Sequence, residues 1–192
     1  MIRDSFEWRG EKKQDSGVTC DECGGQTILL HTTADAPYPY EALSGLKDVG
    51  LVGISVERCV KCRLDSPIIP RIGELHRLIV KALVNKATAL AGDEIRFLRK
   101  NAGFAAQKFA ALIGVDPSHL SRVETGKTRR LGRSADVLAR AVVLAESRGG
   151  DDARDVLLDV AKRSQLRKRE ARKTRAARQH LLFRLQGNRW AA

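Results

Sequence analysis

The residues of this chain best suited to chemistry are its four cysteines. They fall in two pairs, Cys20-Asp21-Glu22-Cys23 and Cys59-Val60-Lys61-Cys62, with 35 residues between the pairs. Two residues between cysteines let both sulfurs of a tight turn face one point. Two such turns supply the tetrahedral four-thiolate shell that zinc prefers. The reading is one structural Zn2+ held by Cys20, Cys23, Cys59 and Cys62. Four protein ligands leave the metal no open position, so it is not expected to catalyse anything. Gly24 and Gly25 follow the first pair, where glycine lets backbone amides turn toward the sulfurs. Arg63 holds the matching place after the second pair, which predicts a less regular knuckle there. The competing readings are a redox pair or free thiols. A redox pair needs no second pair, and no βαβ pattern surrounds either one.

The second signal is the run Gly103 to Lys127. Phe109, Ala110, Ile113, Val115, Leu120 and Val123 are spaced as the inward positions of two short helices crossing steeply. Gly114 makes the turn between them. Asp116 can cap the following helix, and Pro117 suits its first turn. Arg122 has the chemistry to pair bidentately with guanine O6 and N7. Lys127, Thr128, Arg129, Arg130 and Arg133 come next. The alternative is an ordinary helical bundle with a solvated Arg-rich loop.

This run resembles the XRE family of lambdoid-repressor-like regulators. The match is Ala110, Gly114-Val115, Ser121-Arg122 and Glu124-x-Gly126, over about Asp93 to Arg148. It implies that the helix after the turn enters the major groove and reads bases through Ser118, His119, Ser121 and Arg122. It also implies phosphate contacts from Lys127, Thr128, Arg129, Arg130 and Arg133, and a buried Arg99–Glu124 ion pair. The family commonly opens its second helix with a phosphate-binding Gln. Here that place is Ala106, with Gln107 beside it as the substitute.

The elements that position these residues are legible in part. Residues 1–17 read as a loose arm. The segment 18–70, a four-Cys zinc module, shows strand-like runs at Thr27–Thr33 and Gly50–Glu57. Residues 71–92 read as a linker helix: Leu75, Leu78, Ile79, Ala82, Leu83, Ala87 and Leu90 share one face, and Gly92 ends it. Residues 93–150 contain four helical stretches: Asp93–Lys100, Phe104–Ile113, Pro117–Glu124 and Ser134–Arg148. Residues 151–192 read as a basic tail, helix-prone to about Leu185. The fold class is therefore α+β: a small β-rich zinc module, an all-α lambda-repressor-like domain and a basic helical tail.

The order of the two modules is similar to that of MqsA/YgiT-type antitoxins, over about Val18 to Arg148. That likeness includes Tyr38-Pro39-Tyr40 and the run Glu94 to Lys100. It implies a zinc module that engages a toxin and a DNA-binding domain that dimerises on its own operator. The arm and the tail lie outside that plan. A regulator of a phage or mobile element without a toxin, or an adaptor working through its zinc module, shares the same layout.

Net charge is +12, but it is unevenly placed. Residues 161–192 hold 11 basic residues and one acidic, against 24 and 22 in the rest. Lys162, Arg163, Arg167, Lys168, Arg169, Arg172, Lys173, Arg175 and Arg178 form the dense part, followed by Leu181, Leu182, Phe183, Leu185 and Trp190. This tail suits non-specific phosphate binding, docking of an acidic partner, or simple solvation. No apolar run reaches the ~20 residues of a membrane span, and the first residues lack a signal peptide's apolar stretch. The expectation is a cytoplasmic protein, where thiols stay reduced. His31, His76, His119 and His180 are scattered, with no general-base or metal spacing, which points away from an enzyme. The partners expected are operator DNA, a second copy and a toxin.

Overall fold

The computed structural model describes residues 11–147 and 180–192. The chain divides into two compact units. One joins Met1–Leu43, Lys47–Leu78 and His180–Ala192, and the other Ser44–Leu46 and Ile79–Gln179.

The first unit is built from two four-stranded sheets. One sheet has the order β1 (Glu11–Thr19), β2 (Gln26–His31), β5 (Ser55–Cys59), β6 (Asp65–Ile68), and is antiparallel throughout. The other has the order β3 (Tyr38–Pro39), β4 (Val49–Val52), β7 (Leu181–Gln186), β8 (Arg189–Ala191). A helical turn, α1 (Glu41–Ser44), lies between β3 and β4 in the chain. β4 and β7 run parallel, so the second sheet is mixed.

Three features differ from the reading of the sequence. The loose arm is a strand from Glu11 onward, and its register with β2 slips twice. At the second slip the buried Thr27 hydroxyl donates to the Val18 carbonyl at 2.8 Å, which holds the bulge. Residues 1–10 lie outside the described part. The run Gly50–Glu57 is not one strand but the end of β4 and the start of β5, in different sheets. The break is Gly53, at φ +79°, where an added Cβ would lie 2.6 Å from the Leu185 carbonyl oxygen. Only glycine allows both that backbone angle and that approach.

The third difference is the chain's end. The helix-prone stretch does not reach Leu185, because 181–191 forms a hairpin. Gly187-Asn188 makes its turn, with Gln186 paired to Arg189. Phe183 and Trp190 are buried, and Trp190 Nε1 donates to the Pro70 carbonyl at 2.8 Å. The apolar end read as a docking segment is therefore core of the first unit. The dense basic stretch 162–178 lies outside the described residues.

The second unit contains α3 (Gly92–Asn101), α4 (Ala106–Leu112), α5 (Pro117–Glu124) and α6 (Arg133–Ser147). Its core includes Leu90, Ile95, Leu98, Phe109, Ala110, Ile113, Leu120, Val123, Ala139 and Val143, all buried. Five of the six positions expected to face inward, Phe109, Ala110, Ile113, Leu120 and Val123, are buried, and the sixth, Val115, is half-buried. The preceding helix, α2 (Ile72–Asn85), ends seven residues before Gly92. Gly92 starts α3 instead of terminating α2. A Cβ on it would lie 1.9 Å from the Val123 carbonyl oxygen, so glycine lets α3 begin directly against α5. Among the described residues no helix is long and apolar enough to cross a membrane.

Candidate functional site

The first site is assembled by strand pairing. Cys20 and Cys23 precede β2, while Cys59 ends β5 and Cys62 follows it. The antiparallel register sets Thr27 against Cys59, so both knuckles lie at the same end of the sheet. All four Sγ atoms fall within 4.8 Å of one another. Cys20 and Cys62 are 3.6 Å apart, and Cys23 and Cys59 3.4 Å. A regular tetrahedron with bonds of ~2.3 Å has edges of ~3.8 Å, so the arrangement fits a zinc-sized ion.

The two knuckles share one backbone pattern. The Gly24 amide donates to the Cys20 carbonyl at 2.8 Å, and the Cys20 amide to the Gly25 carbonyl at 2.8 Å. In the second, Arg63 donates to Cys59 at 3.1 Å and Cys59 to Leu64 at 2.9 Å. The expected irregularity at Arg63 is thus absent. Arg63 adopts φ 62°, matching 65° at Gly24. The ion pair of Arg58 with Asp65, at 2.6 and 2.7 Å, braces β5 against β6 beside this knuckle. Gly25 has a separate role. A Cβ there would lie 2.9 Å from Lys61 Cβ and 3.2 and 3.3 Å from the Cys59 and Cys23 sulfurs.

A left-handed non-glycine residue costs ~1–2 kcal/mol, and glycine's extra unfolded-state freedom returns ~0.5–1 kcal/mol of that. Arg63→Gly is therefore expected to stabilise the first unit by about 0.5–1 kcal/mol. Chemical denaturation of the metal-loaded protein checks this, and a lower midpoint would contradict the strain argument.

The thiols also bear on charge. The amide of Cys62 donates to the Cys59 sulfur at 3.4 Å. That bond leads the causes that bring the Cys59 thiol down to about 6, helped by the sulfurs of Cys23 and Cys62. Cys62 feels the Leu64 amide pulling its thiol down. The sulfur of Cys59, burial, and the sulfurs of Cys23 and Cys20 outweigh it and push the thiol up to about 12. Sulfurs this close repel one another when ionised, so holding all four as thiolates takes a cation among them, which is the chemistry of a metal centre.

The second site is α5 and its surroundings. Asp116 caps the helix, its Oδ1 accepting from the amides of Ser118 at 2.8 Å and His119 at 3.2 Å. Gly114, at φ +67°, makes the turn from α4. Leu120 and Val123 are buried. At ~100° per residue, Ser118, Ser121 and Arg122 lie about half a turn from that stripe, and all three are exposed. His119 falls on the flank and is half-buried. The helix is thus anchored by one face and offers three of the four expected readers on the other.

Supporting contacts fix its far end. Arg99 donates from Nε and Nη2 to the two Glu124 oxygens at 2.7 and 2.8 Å, and from Nη1 to the Phe104 carbonyl at 2.8 Å. The hydrogen bonds that Arg99 donates to Glu124 raise the Arg99 pKa further, against the effect of burial. The Thr128 amide donates to the Arg122 carbonyl at 3.0 Å, so the basic loop folds back onto the end of α5. Lys127, Arg129, Arg130 and Arg133 are exposed and Thr128 is half-buried. Gln107 is exposed in the first turn of α4, directly after Ala106.

Residues 90–155 match a family described as a helix-turn-helix domain. The match covers about a third of the chain and takes in α3 to α6. It supports a DNA-binding regulator of the XRE type. No curated protein and no solved structure matches the chain.

Several residues of this helix-turn-helix domain escaped the sequence reading. Arg140 of α6 is 1% exposed. It bonds Asp136 and four backbone carbonyls between Leu83 and Thr88. Glu94 is also buried, accepting from Lys86 Nζ at 2.6 Å and from the Ala91 amide at 2.8 Å. The i, i+4 spacing of Asp136 and Arg140 was the available signal. An exposed pair has the same spacing, so it does not reveal burial.

Proposed function

We propose that this protein is a transcriptional repressor that binds a palindromic operator as a homodimer, with α5 in the major groove. Ser118, His119, Ser121 and Arg122 contact base edges, with Arg122 the main reader of guanine. Gln107, Lys127, Thr128, Arg129, Arg130 and Arg133 contact phosphates and set the register. The observation that carries this reading is the exposed Ser118–Ser121–Arg122 face on a helix whose opposite face is buried. The helix-turn-helix match over the same residues supports it.

Cys20, Cys23, Cys59 and Cys62 hold one structural Zn2+ that closes the end of the first sheet. The biological setting is an autoregulated toxin–antitoxin operon in the cytoplasm, with the zinc unit as the toxin's contact. A phage or mobile-element regulator with no toxin is the alternative setting. The two differ by whether a toxin co-purifies with the protein.

A protection assay on DNA upstream of the coding sequence tests the reading. A symmetric footprint is expected. Protection no different from that of unrelated DNA would overturn the repressor and favour an adaptor. Arg122→Ala is expected to cost ~1–3 kcal/mol on the operator and relax preference at one base per half-site. Titration of wild-type and variant protein against operator DNA measures this, and equal affinities would remove Arg122 from the reading set.

A further inference from the structure

The hydrogen bonding at the start of α5 carries a consequence for which bases the helix selects. Ser118 lies at the second position of the helix, is exposed, and has its hydroxyl 2.5 Å from Asp116 Oδ1. A hydroxyl has one proton to donate and two lone pairs to accept with. An ionised carboxylate only accepts. Asp116 is held in that ionised form: its pKa is lowered by the Ser118 hydroxyl first, then by the amides of His119 and Ser118. The proton in this contact therefore comes from Ser118, and it is already committed.

We infer that Asp116 makes Ser118 an acceptor-only reader, so that α5 selects adenine or cytosine on the strand Ser118 faces. In the major groove adenine N6 and cytosine N4 are the donors, while guanine and thymine present acceptors at the corresponding place. A serine free to rotate would serve either class and carry little information. Fixed by Asp116, it rejects guanine and thymine because two acceptors would face each other without a proton between them. Arg122 lies one turn further along the same face and only donates. The helix thus presents an acceptor and a donor at defined places, which gives the site polarity. Asp116 itself touches no base, so it acts as a positioning residue for specificity.

This inference rests on the proposal that α5 lies in the major groove. The test is selection from a random DNA pool with the full-length, zinc-loaded protein, run in parallel on four forms. With wild type, one position per half-site should favour adenine or cytosine. In Ser118→Ala that preference should disappear, with affinity for the selected site falling about 5-fold, the worth of one neutral hydrogen bond. Asp116→Gly keeps a residue tolerated at helix caps but frees the hydroxyl proton, so guanine and thymine should now be accepted there. Asp116→Asn retains an acceptor oxygen and should keep the wild-type preference. Guanine or thymine at the Ser118-dependent position of wild type would overturn the inference alone. So would an Asp116→Gly profile unchanged from wild type, or no position that depends on Ser118. Failure to enrich any sequence would overturn the DNA-reading proposal and this inference with it.

Discussion

Arg140→Leu is expected to destabilise the helical unit by roughly 3–5 kcal/mol, the usual cost of removing one partner from a buried ionic network. Arg140 is 1% exposed, and its guanidinium makes five hydrogen bonds. Nε donates to Asp136 Oδ2 at 3.0 Å. Nη1 donates to the carbonyls of Leu83, Val84 and Lys86 at 3.0, 2.9 and 3.0 Å. Nη2 donates to Thr88 at 2.7 Å. The first three carbonyls belong to the end of α2 and the residue that follows it, where a helix leaves its last carbonyls without internal partners. Asp136 in turn accepts from the Leu90 amide at 2.8 Å. Leucine would take the guanidinium away from four carbonyls, of which Leu83 keeps the Lys86 amide at 3.2 Å, and leave a carboxylate without its cation. Lysine should recover little, because one ammonium cannot reproduce a planar fork of donors. Urea denaturation followed by helical circular dichroism measures the effect. A loss below about 1 kcal/mol would mean that water takes over these carbonyls at little cost.

Metal removal should have the other large effect. Structural zinc contributes apparent binding energies of ~10–16 kcal/mol in small zinc modules at pH 7. The first unit also has an apolar core, with Leu51, Val56 and Phe183 fully buried. Chelation is therefore expected to lower its melting transition and release the knuckles, leaving part of the sheet intact. Cys59→Ser should reduce bound zinc from one per chain to well under one, since Cys59 is buried and faces Cys23. The ligands bind as thiolates, so loading releases protons and affinity should fall as pH drops. Zinc analysis alongside thermal melts decides the matter. Unchanged melting after chelation, or full zinc content in Cys59→Ser, would sink the structural-zinc proposal.

Where local chemistry decides, the structure follows the sequence closely. The helix Pro117–Glu124 has the bounds that its Asp-Pro start and apolar spacing predict. The four cysteines converge as their spacing implies. In both cases neighbouring residues contain the whole cause: a cap, a turn, or two sulfurs aimed at one point. The hairpin at the chain's end was equally local, since Gly187-Asn188 between Gln186 and Arg189 is a two-residue turn signal. The helix-prone reading of the stretch before it runs on to about Leu185 and so covers most of the hairpin's first strand.

Other features depend on partners far away in sequence. Gly53 divides one strand-like run because the Leu185 carbonyl, more than a hundred residues later, closes over it. Gly92 opens a helix because of the Val123 carbonyl. Arg140 looks like any charged residue on an amphipathic helix until four carbonyls surround it.

The two sites that opened the sequence reading divide along this line. Residue types and spacing alone determined the four-sulfur cluster and a capped helix offering Ser118, Ser121 and Arg122. Tertiary structure decided that the second sheet of the first unit is completed by the C-terminal strands. It also decided that the basic loop folds back onto the end of the helix through the Thr128 amide, and that His119 sits on the flank. The physical reason is range. Caps, turns and i, i+4 faces act over a few residues and are written in sequence order, whereas burial and close backbone approach are set by whichever distant segment packs there.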